Sequence, residues 1–133
     1  MKRDAPTSVR NEKTIYTCME APRVTEHCVA WTDRTETTAP NGVAKRHLDG
    51  EGASLARITV PAGTKAPRHS HAHEQFVQVL AGSGTLETEQ GTKAFGPGSV
   101  FHFPPDVWHA AEFVSETVLV EVNLAPPSHS RFA

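Results

Sequence analysis

The sequence predicts an all-β fold, an antiparallel sandwich or barrel. Two observations carry this. From residue 43 onward, short runs of strand-favouring residues alternate with turns rich in Gly and Pro. No stretch shows the apolar spacing of an amphipathic helix of about ten residues or more. At 133 residues the chain has the length of one domain. A domain of that size buries roughly two thirds of the surface its unfolded chain exposes, so it can hold a core without disulfides.

The elements follow in order. Residues 1–40 are polar, with a Thr-rich stretch at Thr32–Thr38, and end in the turn signal Pro40-Asn41-Gly42. Within them Val24–Trp31 reads as a strand; the remainder reads as an N-terminal arm lying along the barrel or a partner subunit. Ser54–Val60 alternates and closes at Val60-Pro61-Ala62-Gly63, with Pro and Gly at favoured turn positions. Gln75–Leu80 ends at Ala81-Gly82-Ser83-Gly84. Thr85–Glu89 and Thr92–Phe95 flank Gln90-Gly91, a hairpin signal. Phe95-Gly96-Pro97-Gly98 turns the chain into Ser99–Phe103, which Pro104-Pro105-Asp106 stops. Trp108–Val114 and Glu116–Leu124 are the last two strands, ended by Pro126-Pro127. The expected division is an arm over 1–40, a barrel over 41–126 and a tail over 127–133.

Composition narrows the function. Hydrophobic residues make up 38%, charged residues 21%, and the formal net charge is -2. A nucleic-acid partner is not expected, because a phosphate-binding surface shows as a basic excess. The longest apolar runs fall far short of the roughly 20 residues that cross a bilayer, so no membrane span is expected. Met1–Pro6 leads into no apolar h-region. Cys18 and Cys28 lie outside any C-x-x-C pattern and read as ordinary thiols of a reducing compartment. The expected location is the cytoplasm. Histidine is the outlier, with eight in the chain and three of them at His69, His71 and His73.

Side chains at i and i+2 of a strand share a face, so His69 and His71 point the same way. Gln75 has the same parity and, after a tight turn at Ala72–Glu74, can face the same interior from the next strand. Its amide oxygen would be a neutral ligand. His109, just past Pro104–Asp106, can close the site from across the barrel, with Val77, Val79, Phe101 or Phe103 as a dry wall. Each residue alone has an ordinary reading. H-x-H arises by chance on surface strands, an isolated His109 fits a half-buried histidine, and Gln75 fits a solvated polar residue.

The joint spacing is what decides. Gly63 is followed by five residues to His69-Ser70-His71, then three to Gln75, then six to Gly82. Gly98 is followed by five residues to Pro104-Pro105-Asp106, two to His109 and three to Phe113. This arrangement resembles the two motifs of the cupin superfamily, with Gln75 in place of the first motif's Glu, Asp106 in place of a Gly and Phe113 in place of an Asn. The resemblance covers about residues 43–125. It implies a jelly-roll β-barrel, a homodimer, and a metal held by His69, His71, Gln75 and His109. A His-x-His-x-His-Glu-Gln run like His69–Gln75 is similar to that of small cupins that open unsaturated uronate sugars. It implies a place for His73 in the turn, at the pocket rim.

Four uncharged ligands leave a divalent ion its full charge. Imidazole and amide oxygen together suit Fe, Mn, Ni or Zn, and no cysteine near the motifs points to a closed structural zinc site. An open cationic site chelates an enolate or hydroxy-carbonyl and stabilises charge on oxygen. The first expectation is therefore an enzyme on a small oxygenated substrate, of dioxygenase type, acting on an enolisable carbonyl or phenol. The second is a Lewis-acid isomerase or lyase, such as uronate ring opening. The third is a non-catalytic ligand-binding module. Glu74 and His73 are candidates for proton transfer. Arg57, Val77, Phe101, Phe103 and His102 are candidates for the substrate pocket.

Overall fold

A computed structural model describes residues 26–125. A short 3-10 turn at Trp31–Asp33 precedes ten strands: β1 (Thr37–Thr38), β2 (Ala44–Asp49), β3 (Ala53–Val60), β4 (Lys65–His69), β5 (Gln75–Ala81), β6 (Gly84–Thr88), β7 (Gly91–Phe95), β8 (Val100–Phe103), β9 (His109–Phe113) and β10 (Thr117–Leu124). One sheet of six strands has the order β1-β2-β3-β10-β5-β8. A second of four has the order β4-β9-β6-β7. All pairings are antiparallel. The two sheets face each other as a jelly-roll barrel. No helix among the described residues is long and apolar enough to cross a membrane.

Alternation builds the core. In β3, Ala56, Ile58 and Val60 turn inward; in β5, Val77 and Val79; in β8, Phe101 and Phe103. They meet Phe95, Phe113 and Leu119 in one buried cluster. Phe95 packs edge-on against Phe101 and Phe113, with centroids 5.3 and 5.7 Å apart, in the favoured geometry for aromatic pairs. The turns demand their residues. Gly82 has φ +98, and a Cβ there would collide with the Glu116 carbonyl and the Thr117 hydroxyl. Asp106 sits at φ 68, in the left-handed region that Asp tolerates better than most side chains. Its N–H donates to the His71 carbonyl at 2.7 Å, tying the turn before His109 to the loop after His69.

The strands expected from sequence appear with ends shifted by a residue or so. Three others are added. β1 and β4 lie at sheet edges, β2 is covered on its outer side only by the two residues of β1, and Ala44-Lys45-Arg46-His47-Leu48-Asp49 is too polar to show apolar alternation. One expectation is corrected. Val24 and Thr25 lie outside the described residues, and 26–31 form no strand. Instead the Asp33 carboxylate accepts the Ala30 N–H at 3.1 Å and the Asp33 N–H returns to the Ala30 carbonyl at 2.9 Å. Such local bonds offer the backbone an alternative to a ladder. This segment is fastened to β2: the Arg46 guanidinium donates to the Arg34 carbonyl at 2.6 Å, and the Arg34 Nε to the His47 carbonyl at 2.8 Å. Cys18 lies outside the described residues; Cys28 is an exposed free thiol.

Candidate metal centre and its cavity

Two strands of the smaller sheet deliver the histidines. His69 ends β4 and His109 begins β9, and the two are partners in register. His71 lies just past the end of β4. The ligand nitrogens of His69, His71 and His109 all fall within 4.8 Å of one another, with ring centroids 4.2 to 5.3 Å apart. From outside, the Arg68 guanidinium stacks 3.8 Å over the Trp108 ring. These residues immediately precede His69 and His109, so the stack clamps the two histidine-bearing strand ends together.

Backbone carbonyls set the tautomers. His69 Nδ1 lies 2.8 Å from the Pro67 carbonyl, and His109 Nδ1 lies 3.1 Å from that of Val107. A carbonyl only accepts, so each Nδ1 carries the proton and each Nε2 keeps its lone pair for a metal. His109 and His71 are held toward the neutral form. His109, 5% exposed, stacks flat on Phe103 at 3.7 Å, and burial brings its pKa down to about 4. His69 and His71 push the same way, against the Val107 hydrogen bond. Burial, then His69 and His73, likewise lowers His71. Three imidazoles with nitrogens this close together fit a divalent transition metal.

Gln75, the first residue of β5, is 5% exposed. It lines one cavity of about 180 Å³ with His69, His109, Val77, Phe101 and Phe103. Its Nε2 donates to Asn123 Oδ1 at 2.8 Å. His73 Nε2 lies 3.0 Å from the same oxygen, and the His73 ring stacks on His71. His73 is thus beside the histidine cluster rather than in it.

Other candidates stand elsewhere. Glu74 Oε2 meets His102 Nε2 at 2.6 Å, and His102 stacks on Phe76 at 4.6 Å. Phe76 and His102 are neighbours on the outward face of β5 and β8, so Glu74 and His102 face away from the cavity. Arg57 has the parity opposite to Ala56 and Ile58 and opposes Arg46 in β2. It too points away. These placements correct the expectation that Glu74, His102 and Arg57 serve the cavity; strand parity is the reason in β3 and β8. Among the lining residues that were missed are two with charged side chains, Lys45 and Glu121. Burial pushes the Glu121 carboxyl up, opposed by Lys45, a hydrogen bond from Asn123, His47 and His69. The signal was present in Glu116–Leu124. Thr117, Leu119, Glu121 and Asn123 share one parity, so a buried apolar position is followed on the same face by two polar ones.

A family model described as the cupin domain matches residues 56–123. An uncharacterized protein of Streptomyces coelicolor is 27% identical over 92 residues, covering 69% of this chain and 88% of its own. Among solved structures, an RmlC-like cupin from Shewanella frigidimarina superposes with a TM-score of 0.70 at 21% identity, covering 82% of this chain and 97% of that one. Ectoine synthase from P. lautus superposes with a TM-score of 0.67 at 23% identity, covering 76% and 79%. At these identities the structural likeness establishes fold.

Proposed function

The chain belongs to the cupin family, and on that premise we propose that it is a mononuclear metal-dependent enzyme performing dioxygenase-type oxidation of an enolisable carbonyl or phenolic compound. The observation that carries this reading is the convergence of three imidazoles beside a mostly apolar cavity. His69, His71, His109 and the Gln75 amide oxygen would hold one divalent ion. Such an ion supplies Lewis-acid polarisation of a chelated oxygen and, as iron, the redox chemistry that oxygenation requires. Phe101, Phe103, Phe113 and Leu119 line the cavity and exclude water. Its size, about 180 Å³, lies below the roughly 300–1,000 Å³ of drug-sized sites, which suits a small substrate. Lys45 offers a cation to an anionic substrate group, and Glu121 holds a proton at its carboxyl more readily than an ordinary glutamate. That this barrel shape also serves an ectoine synthase supports catalysis as analogy only.

A second reading is a non-oxidative isomerase or lyase, such as opening of an unsaturated uronate. Lys45 and Glu121 favour it, since such chemistry needs proton transfer beside a polarised oxygen. The test is oxygen uptake by iron-loaded protein given a chelating diketone or a catechol. Uptake that His109→Ala abolishes supports oxidation. No uptake with any metal, together with uronate turnover under nitrogen, replaces the first reading by the second. Tight binding without turnover of either class makes the protein a ligand-binding module. The reading includes a cytoplasmic homodimer. Phe76, Leu80 and Val100, exposed on neighbouring outward positions of β5 and β8, support the dimer.

A further inference from the structure

The inward face of β2 departs from the rest of the barrel. Lys45, His47 and Asp49 pair in register with Ile58, Ala56 and Ser54 of β3 and share their face. Ile58 and Ala56 are buried, yet all three β2 residues are exposed. Solvent therefore reaches the interior face at β2. Lys45 nonetheless lines the cavity that holds His69, Gln75 and His109. Ala66 and His69 of β4 line it too, and β4 is an edge of the smaller sheet. The cavity thus opens between β2 and β4, with Lys45 at its mouth. The ion pairs among the described residues join Arg46 to Glu36, Lys65 to Glu112, Arg68 to Glu87 and His102 to Glu74, and Lys45 is in none of them. Register also orders the polar residues along the cavity. Gln75 pairs with Asn123; two residues along the strands Glu121 pairs with Val77; two further, Leu119 pairs with Ile58 and Ile58 with Lys45. Glu121 is therefore passed first on the way out from the histidines, and Lys45 last.

We propose that Lys45 selects a substrate with one carboxylate at the end remote from its chelating oxygens, which enter first toward His69, His71 and His109 while the carboxylate stays at the mouth on the ammonium. The inference rests on the reading of this cavity as a metal centre and names the class of compound it takes. Phe101, Phe103 and Leu119 line the space between the two polar ends, which suits a carbon frame. A carboxylate beside the chelating oxygens would lie out of reach of Lys45 and nearer to Glu121. A cationic group at the far end would meet like charge.

The probes are catechol, protocatechuate and dopamine, which share two chelating hydroxyls and carry at the far end nothing, a carboxylate and an ammonium. Their binding to cobalt(II)-loaded protein is read from the visible spectrum under nitrogen. Comparing one probe between wild type and variant cancels that probe's own affinity for the metal. Lys45→Met should weaken protocatechuate about tenfold and leave catechol within about twofold, since a charged hydrogen bond at an exposed site stands at the low end of its usual worth. Lys45→Glu should weaken protocatechuate further and strengthen dopamine; Lys45→Met carries the test if the glutamate variant does not fold. The dihydroxybenzoate isomer whose carboxylate adjoins its hydroxyls should lose little in either. Wild type that takes catechol but not protocatechuate, or equal changes for both in Lys45→Met, overturns selection by Lys45 while leaving the metal centre standing. No spectral response to any probe in the unaltered protein, or the same response in His109→Ala, removes the metal-centre reading and this inference with it.

Discussion

Proton affinity decides whether a histidine can serve as a ligand near neutral pH. His109 lies flat on Phe103 and close to two other imidazoles, which brings its pKa to about 4. In the metal-free protein, NMR titration should show this ring neutral until the pH nears 4, and one titrating near the ordinary 6.5 would contradict the packing described. The stability consequence has a definite sign. A folded pKa below the unfolded one means that the unfolded chain takes up the proton first. The contribution of neutral His109 is thus present above about 6.5 and lost as the pH falls toward 4. Glu121, whose carboxyl is raised, runs the other way. Comparing wild type with His109→Phe isolates the histidine: the wild type's advantage in urea unfolding should shrink over that window. At this scale the histidines were legible because a ligand set needs fixed residue types at fixed spacing. Glu121 and Asn123 were not, because glutamate and asparagine on a strand are common at solvent-facing positions and only the parity of β10 sets them inside.

Strand ends hold the site, and strand turns hold the strands. Arg68 on Trp108 closes the β4–β9 junction from outside. Arg68→Ala should lower stability by about 0.5–1 kcal/mol, the usual worth of an exposed cation–π pair, measured by chemical denaturation. A change within error would show that the backbone pairing of His69 with His109 suffices. The glycines separate two causes of strain. Gly82→Ala combines a positive φ with a collision against the Glu116 carbonyl, whereas Gly91, at φ +108, has open space around it. The left-handed backbone costs about 1–2 kcal/mol in both, and overpacking adds about 1–3 at Gly82 alone. Equal losses in the two variants would refute the collision. The central strands were readable because their alternation reflects a buried and an exposed face. β1 and β4 sit at sheet edges and β2 next to the two-residue β1, where polar residues are tolerated on both sides. Glu74 and His102 drew attention as ionisable residues near the motifs, yet outward parity pairs them with each other at 2.6 Å.

At the scale of the molecule, the larger sheet carries Gln75, Glu121 and Asn123, and the smaller one carries His69 and His109, with His71 just past the end of β4. The site exists only when the sheets close on each other, so metal binding and folding should be linked. An ion at 1,000 times its dissociation constant adds about 4 kcal/mol of stability, and a chelator should lower the melting temperature accordingly. A melting temperature unmoved by chelator would mean that the ion binds no tighter to the folded chain than to the unfolded one. The barrel was foreseeable from turn spacing, because Gly and Pro at set intervals leave little but antiparallel strands between them. The homodimer was expected from the resemblance with no face assigned to it, and the exposed outward face of β5 and β8 is the one proposed here. Phe76→Glu with Val100→Lys should convert a dimer to a monomer by light scattering, and a dimer unchanged by both would place the interface elsewhere. The central claim is tested most directly by elemental analysis of the purified protein beside its His109→Ala variant. One divalent ion per chain in the first and almost none in the second is the result expected. A full complement of metal in the variant would contradict it.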